Sequence, residues 1–301
     1  MNPTLDELTK NFAQSVTRRS ALKRFGLGLA GVALAKLGIN EAQAITNGQL
    51  DGNGHPNVGG FVWLKNIWSP DPPPVFIGSG TLIHPRVILT VGHGTDPVES
   101  AIANGMMTID ELLISFASDA SDPRTWRRIS AVLTHPGYIP KGTSSEDVGV
   151  AILSKRVTTI APVALPPLGF LDTLAAAGQL KANSDRTKFI VVGYGVDTGD
   201  ANQGHLPFPP DGLRRVAQPE FQNLHDRWLY TDQNDAHDNG GSAAGDSGGP
   251  LFWVDPDTGQ ETLVAIVSRG NLTSASAYRV DTPEALGFIN DVLRRVNAGE
   301  L

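Results

Sequence analysis

From Ile45 onward, short apolar and β-branched runs alternate with clusters of Gly, Pro, Asn and Asp. In the first half the runs are Gly60 to Leu64, Val75 to Ile83, Val87 to Val91, Leu112 to Phe116, Ser130 to Thr134 and Val148 to Leu153. In the second they are Lys188 to Gly193, Leu213 to Ala217, Arg227 to Thr231, Pro250 to Val254, Thr262 to Ser268 and Ala277 to Val280. Runs this short, bounded by turn residues, predict antiparallel β-structure. Ser154 to Phe170 contains Ala161-Pro162-Val163-Ala164-Leu165-Pro166-Pro167, a proline-stiffened stretch suited to crossing between domains. It divides the chain into a first β domain over 45–160 and a second over 161–281. The pattern predicts one helix, over 282–301. Thr282 can cap it, Pro283 suits its first turn, and Ala285, Phe288, Ile289, Val292 and Val296 share a face that should pack on the second domain. Ser100 to Arg128 and Val196 to Asp211 are polar or proline-rich and read as surface loops.

The first 44 residues follow another plan. Arg18-Arg19 stands just before the apolar run Phe25 to Ala35, which Lys36 ends, and Ala42-Gln43-Ala44 supplies a small-x-small cleavage pattern. The run is shorter than the roughly 20 residues that span a bilayer. The segment resembles a twin-arginine signal, with Ala21 where an aromatic is usual. The resemblance implies export to the periplasm or the medium, removal of 1–44, and Ile45 as the first mature residue. Six basic and three acidic side chains would leave with it, moving the net charge from −7 to −10.

That charge is the wrong sign for a chain held to phosphate backbones, so nucleic acid is not expected as a partner. No cysteine is present, which excludes disulfides, thiol nucleophiles and thiolate metal sites, and lets an exported chain fold before transport.

The residues that carry chemistry begin at Gly245-Asp246-Ser247-Gly248-Gly249-Pro250. A serine becomes nucleophilic beside a base, and its acyl transition state needs N–H donors facing the developing oxyanion; flanking glycines allow that close approach. All seven histidines precede Ser247, whereas the α/β-hydrolase order requires one after it, so that fold is excluded. Leu89-Thr90-Val91-Gly92-His93-Gly94 then resembles the histidine signature of the trypsin-like serine proteases, with Gly94 in place of a cysteine. Asp147-Val148-Gly149-Val150-Ala151-Ile152 is similar to that family's aspartate and the apolar strand after it. His135-Pro136-Gly137-Tyr138, Gly193-Tyr194-Gly195 and Ser268-Arg269-Gly270 are similar to further family stretches.

The resemblance covers Ile45 to about Val296 and implies an all-β fold: two antiparallel six-stranded β-barrels of chymotrypsin type with a C-terminal α-helix. It implies a serine endopeptidase with Ser247 as nucleophile, His93 as base and Asp147 orienting the imidazole. The N–H groups of Gly245 and Ser247 would form the oxyanion hole, in a cleft between the barrels. The substrate pocket would be built from Gly241, Ser268, Gly270 and Ser276. Gly241 stands where family members that cut after Lys or Arg carry an aspartate, which points to a small or medium apolar residue before the scissile bond, unless Asp232, Asp235 or Asp238 reaches in. Ile45-Thr46-Asn47-Gly48 resembles the family's mature start, implying that the freed ammonium of Ile45 pairs with Asp246. No cofactor or metal is expected; Asp235-x-His237-x-Asn239 is a poor calcium loop, because histidine is a poor ligand for a hard cation. The expected partner is a protein or peptide substrate, and the expected state is a monomer with no membrane attachment once the leader is gone. The alternatives are a non-catalytic binding protein on the same fold and an exported esterase.

Overall fold

The computed structural model describes residues 48–64, 74–140, 145–184, 186–196, 210–234, 239–271 and 273–301. The leader, Ile45, Asp235, Asp238 and most of Val196 to Asp211 lie outside the described residues.

The first barrel closes in the order β2 (Val58–Trp63), β3 (Val75–His84), β4 (Val87–Thr90), β7 (Gly149–Leu153), β6 (Trp126–Thr134) and β5 (Leu112–Ser115), each pair antiparallel. Every residue of β4, β5 and β7 is buried, which is why these runs read as unbroken apolar stretches. β6 begins at Trp126, earlier than the pattern suggested, because Arg127 and Arg128 pair in the ladder while their polarity masks the strand.

The second sheet contains β8 (Lys188–Gly193), β9 (Arg215–Ala217), β10 (Glu220–Leu224), β11 (Trp228–Asp232), β12 (Pro250–Val254), β13 (Glu261–Gly270) and β14 (Ser274–Arg279). Pairing of β8 with β12 closes a six-stranded antiparallel barrel of β8, β10, β11, β14, β13 and β12. The fold is therefore two such barrels with a C-terminal helix. β1 (Gln49–Leu50) falls within 45–160, yet it pairs with β9 and so extends the second sheet, not the first barrel.

Two further helices correct the expectation of a single C-terminal one. α1 (Gly92–Ala103) was hidden by two glycines and Pro97, although Val98, Ala101 and Ile102 keep the helical spacing. The seven-residue α2 (Phe170–Ala176) follows Gly169, whose φ of 68° ends the proline-rich crossing, and buries Leu171 and Leu174. α3 (Pro283–Asn297) starts as expected: Thr282 accepts from the Ala285 N–H at 3.2 Å, and Ala285, Ile289, Val292 and Val296 are buried. Phe288 also meets His135 of the first barrel edge to face at 5.1 Å, and Arg86 donates to the Leu301 carbonyl, so α3 ties down both barrels.

Between the barrels the Arg214 side chain is 1% exposed. It donates to Asp51 at 2.7 Å, to the Phe116 and Val58 carbonyls of the first barrel, and to the Gly52 carbonyl. A buried guanidinium is tolerated only when its donors are spent in this way, and removing one partner of such a pair costs about 3 to 5 kcal/mol. His55 extends the network, bonding Asp51 and Glu261, and its pKa is raised to about 9: burial opposes the charge, but the two carboxylates outweigh it.

Candidate active site

β4 delivers the chain through Val91 into the first turn of α1, which carries His93. The His93 main-chain N–H donates to Asp147 Oδ1 at 2.7 Å, and His93 Nδ1 lies 2.9 Å from Oδ2. Both oxygens of one carboxylate thus hold one residue, fixing the ring's position and leaving Nε2 as the ring nitrogen turned away from the aspartate. Ser268 Oγ from β13 adds a bond to Oδ2 at 2.5 Å. The Asp147 side chain is fully buried. Burial raises its pKa, but the His93 charge and the hydrogen bonds from His93 and Ser268 prevail, and the net shift is downward. Gly92 packs closely at this point: a Cβ there would come within 2.9 Å of the Tyr138 ring and 3.3 Å of Asp147 Oδ1.

Two elements clamp this arrangement. Thr95 and Thr134 hydroxyls meet at 2.7 Å, tying α1 to β6. Glu146, next to Asp147, accepts from Arg227 Nε at 2.6 Å and from the Tyr278 hydroxyl, so the aspartate's loop is fastened to the second barrel.

Ser247 sits in the loop before β12. Gly245 and Gly248 have φ of 98° and 84°, a region that glycine alone adopts freely. The loop is held from outside by Ser79, whose Oγ donates to the Gly245 carbonyl and whose N–H donates to the Ser247 carbonyl. Among the described residues the Gly245 and Ser247 N–H groups donate to nothing, and no hydrogen bond joins Ser247 Oγ to His93. Both residues nevertheless line one cavity, so the structure brings His93, Asp147 and Ser247 to one seam.

Asp246, beside the serine in sequence, is fully buried. Its oxygens accept from the N–H groups of Gly195 at 2.8 Å and Ala243 at 2.7 Å. Burial pushes its pKa up to about 7, against those two bonds and the more distant charge of Arg215. The glycines of Gly193-Tyr194-Gly195 make its room: a Cβ at either would fall 2.1 or 2.4 Å from a carboxylate oxygen.

The four residues expected to form a substrate pocket are placed unequally. Ser268 is buried and spent on Asp147, and Gly270 is exposed at the end of β13. Gly241 backs onto Gln233, which sequence reasoning missed. Gln233 is 1% exposed and donates from Nε2 to the Ser242 and Asn271 carbonyls, and a Cβ at Gly241 would collide with it at 2.2 Å. Ser276 lines a void of about 10 Å³ with Ser242, Val267 and Ala277, at the lower limit for one water. Glu146 was missed as well, although its position next to Asp147 was a signal; nothing in the sequence singled out Gln233.

Two closed antiparallel barrels, with a histidine–aspartate pair on one and a glycine-flanked serine loop on the other, define a double-barrel protein with its polar site at the seam. The trypsin family model matches residues 73–286, and the chain belongs to that family of serine proteases. It is similar to the clotting factor G beta subunit of Tachypleus tridentatus, 24% identical over 262 residues that cover 81% of this chain and 79% of that protein.

Proposed function

We propose that the chain is an exported serine endopeptidase that cuts peptide bonds through an acyl-enzyme. The observation that carries this reading is the two-point grip of Asp147 on His93 at the mouth of the cavity that Ser247 shares. Ser247 Oγ attacks the carbonyl carbon while His93 takes its proton; Asp147 holds the ring and stabilises the imidazolium; His93 then returns the proton to the leaving amine. The unspent N–H groups of Gly245 and Ser247 receive the oxyanion. The base at Gly241, filled by Gln233, favours a small apolar residue before the scissile bond, since it leaves little room for the long side chain of Lys or Arg.

Export follows the twin-arginine route, cleavage falls after Ala44, and the enzyme works as a monomer. Cleavage also activates it. The new ammonium of Ile45 pairs with Asp246, a buried carboxylate with no ion-pair partner among the described residues, and that pair steadies the Gly245–Ser247 loop. A fluorophosphonate probe on the processed protein tests the reading: it labels Ser247, labelling disappears in Ser247→Ala and drops strongly in His93→Ala. Absence of labelling in the processed wild type would favour a non-catalytic binding protein. Turnover of esters without any peptide cleavage would favour an esterase.

A further inference from the structure

An apolar cavity lies against the first barrel. It has about 120 Å³ of room and opens on His93 and Ser247. Its walls are apolar: Phe61 and Trp63 of β2, Val98 and Ala101 of α1, and Met107 and Leu112 before and within β5. Gly78 and Gly94 also line it and present no side chains to it. Crowding does not demand glycine at 94, where a Cβ would meet only Val91 at an ordinary 3.5 Å. A dry, apolar cavity of roughly 150 Å³ is enough to take up a benzene ring.

Position decides which half of a substrate reaches it. The void of about 10 Å³ lies in the second barrel, with the plugged Gly241. The large cavity lies across the serine, walled by the helix that carries His93. His93 gives its proton to the departing nitrogen, so a side chain on that nitrogen's residue is the one presented to α1. We infer that this cavity is the main specificity subsite and takes a bulky apolar side chain, Phe, Leu or Met, from the residue just after the scissile bond. The inference rests on the serine endopeptidase reading.

Acyl transfer isolates this subsite from every earlier step. An ester substrate acylates Ser247, and an amino-acid amide then competes with water. Its nitrogen attacks the acyl carbon, a C–N bond forms, the bond to Ser247 Oγ breaks, and the amine proton passes through His93 to Oγ. The full chain, made with its leader in an exporting host and recovered after processing, is given Phe-amide or Gly-amide. Phe-amide should capture the acyl group roughly tenfold or more better than Gly-amide. Ala101→Phe fills the cavity and should level the two. Met106→Asp puts a charge on the cavity wall at a residue 44% exposed, where folding is not at stake, and should cut the Phe preference severalfold. Equal capture by the wild type, or a preference that both variants retain, overturns the inference while ester turnover and probe labelling leave the protease reading standing. A chain that neither labels nor turns over the ester removes both.

Discussion

Asp147 and Asp246 are both fully buried and both adjoin the candidate catalytic residues, yet their carboxyls are driven in opposite directions. Burial alone raises either one. Around Asp147 the fold supplies a histidine on two atoms and the Ser268 hydroxyl, and the ion wins. Around Asp246 it supplies two main-chain N–H groups and the remote Arg215, and burial wins, near pH 7. The first barrel thus holds a finished charge site. The second holds one whose carboxylate has no ion-pair partner among the described residues, and it is there that the proposed ammonium of Ile45 would act.

The most severe way to break this comparison is at the finished site. Asp147→Asn keeps the shape but can no longer accept from both His93 N–H groups, so the ring loses its fixed tautomer. Peptide cleavage should fall by roughly 10⁴-fold with little change in thermal midpoint. A drop under tenfold would show that the grip on His93 is structural only.

At the unfinished site the expected loss is smaller and conditional. Extending the processed chain by one to five residues before Ile45 removes the ammonium and leaves Asp246 untouched; activity should fall about tenfold or more while circular dichroism is unchanged. Asp246→Asn should do likewise, at the added cost of leaving one of the two N–H donors without an acceptor. Equal activity of extended and processed forms would break the coupling.

The pH dependence of stability sharpens the contrast further. A carboxyl whose folded pKa is raised binds a proton that the unfolded chain has already lost. In the full-length chain, Asp246 therefore contributes stability that is present below about pH 4 and lost as pH rises to about 7. The slope is up to about 1.4 kcal/mol per pH unit. Asp147, shifted downward, acts oppositely: its contribution is present above the unfolded carboxylate value and lost as pH falls below it. Urea melts of the full chain across this range should show the loss, and Asp246→Asn or release of Ile45 should flatten it; identical slopes in all three would refute the assignment.

How far the sequence reached depended on whether a feature was continuous along the chain. The buried strands β4, β5 and β7 are unbroken apolar runs, and the serine loop is six residues in a row, so both were legible. β10 is too polar to read as a strand, and α1 was concealed by Gly92, Gly94 and Pro97. Gln233 and the apolar cavity escaped altogether, because each is defined by residues from several separate segments that meet only on folding.

The smallest effect lies in the glycines beside the two aspartates. At Gly195 an added Cβ would stand 2.4 Å from an Asp246 oxygen, backed by the rigid main chain that holds that oxygen. At Gly92 it would stand 2.9 Å from the Tyr138 ring, a half-buried side chain and not rigid main chain. Gly195→Ala should therefore cost about 1 to 3 kcal/mol of stability, as overpacking of a filled site does, and should lower activity with it. Gly92→Ala should cost less, under about 1.5 kcal/mol, because Tyr138 can shift by a few tenths of an ångström and leave Asp147 on His93. Urea melts of the two variants check the order. If Gly92→Ala were the costlier, the finished site of the first barrel would be the more rigid of the two, and the contrast drawn from the carboxyls would need a different cause.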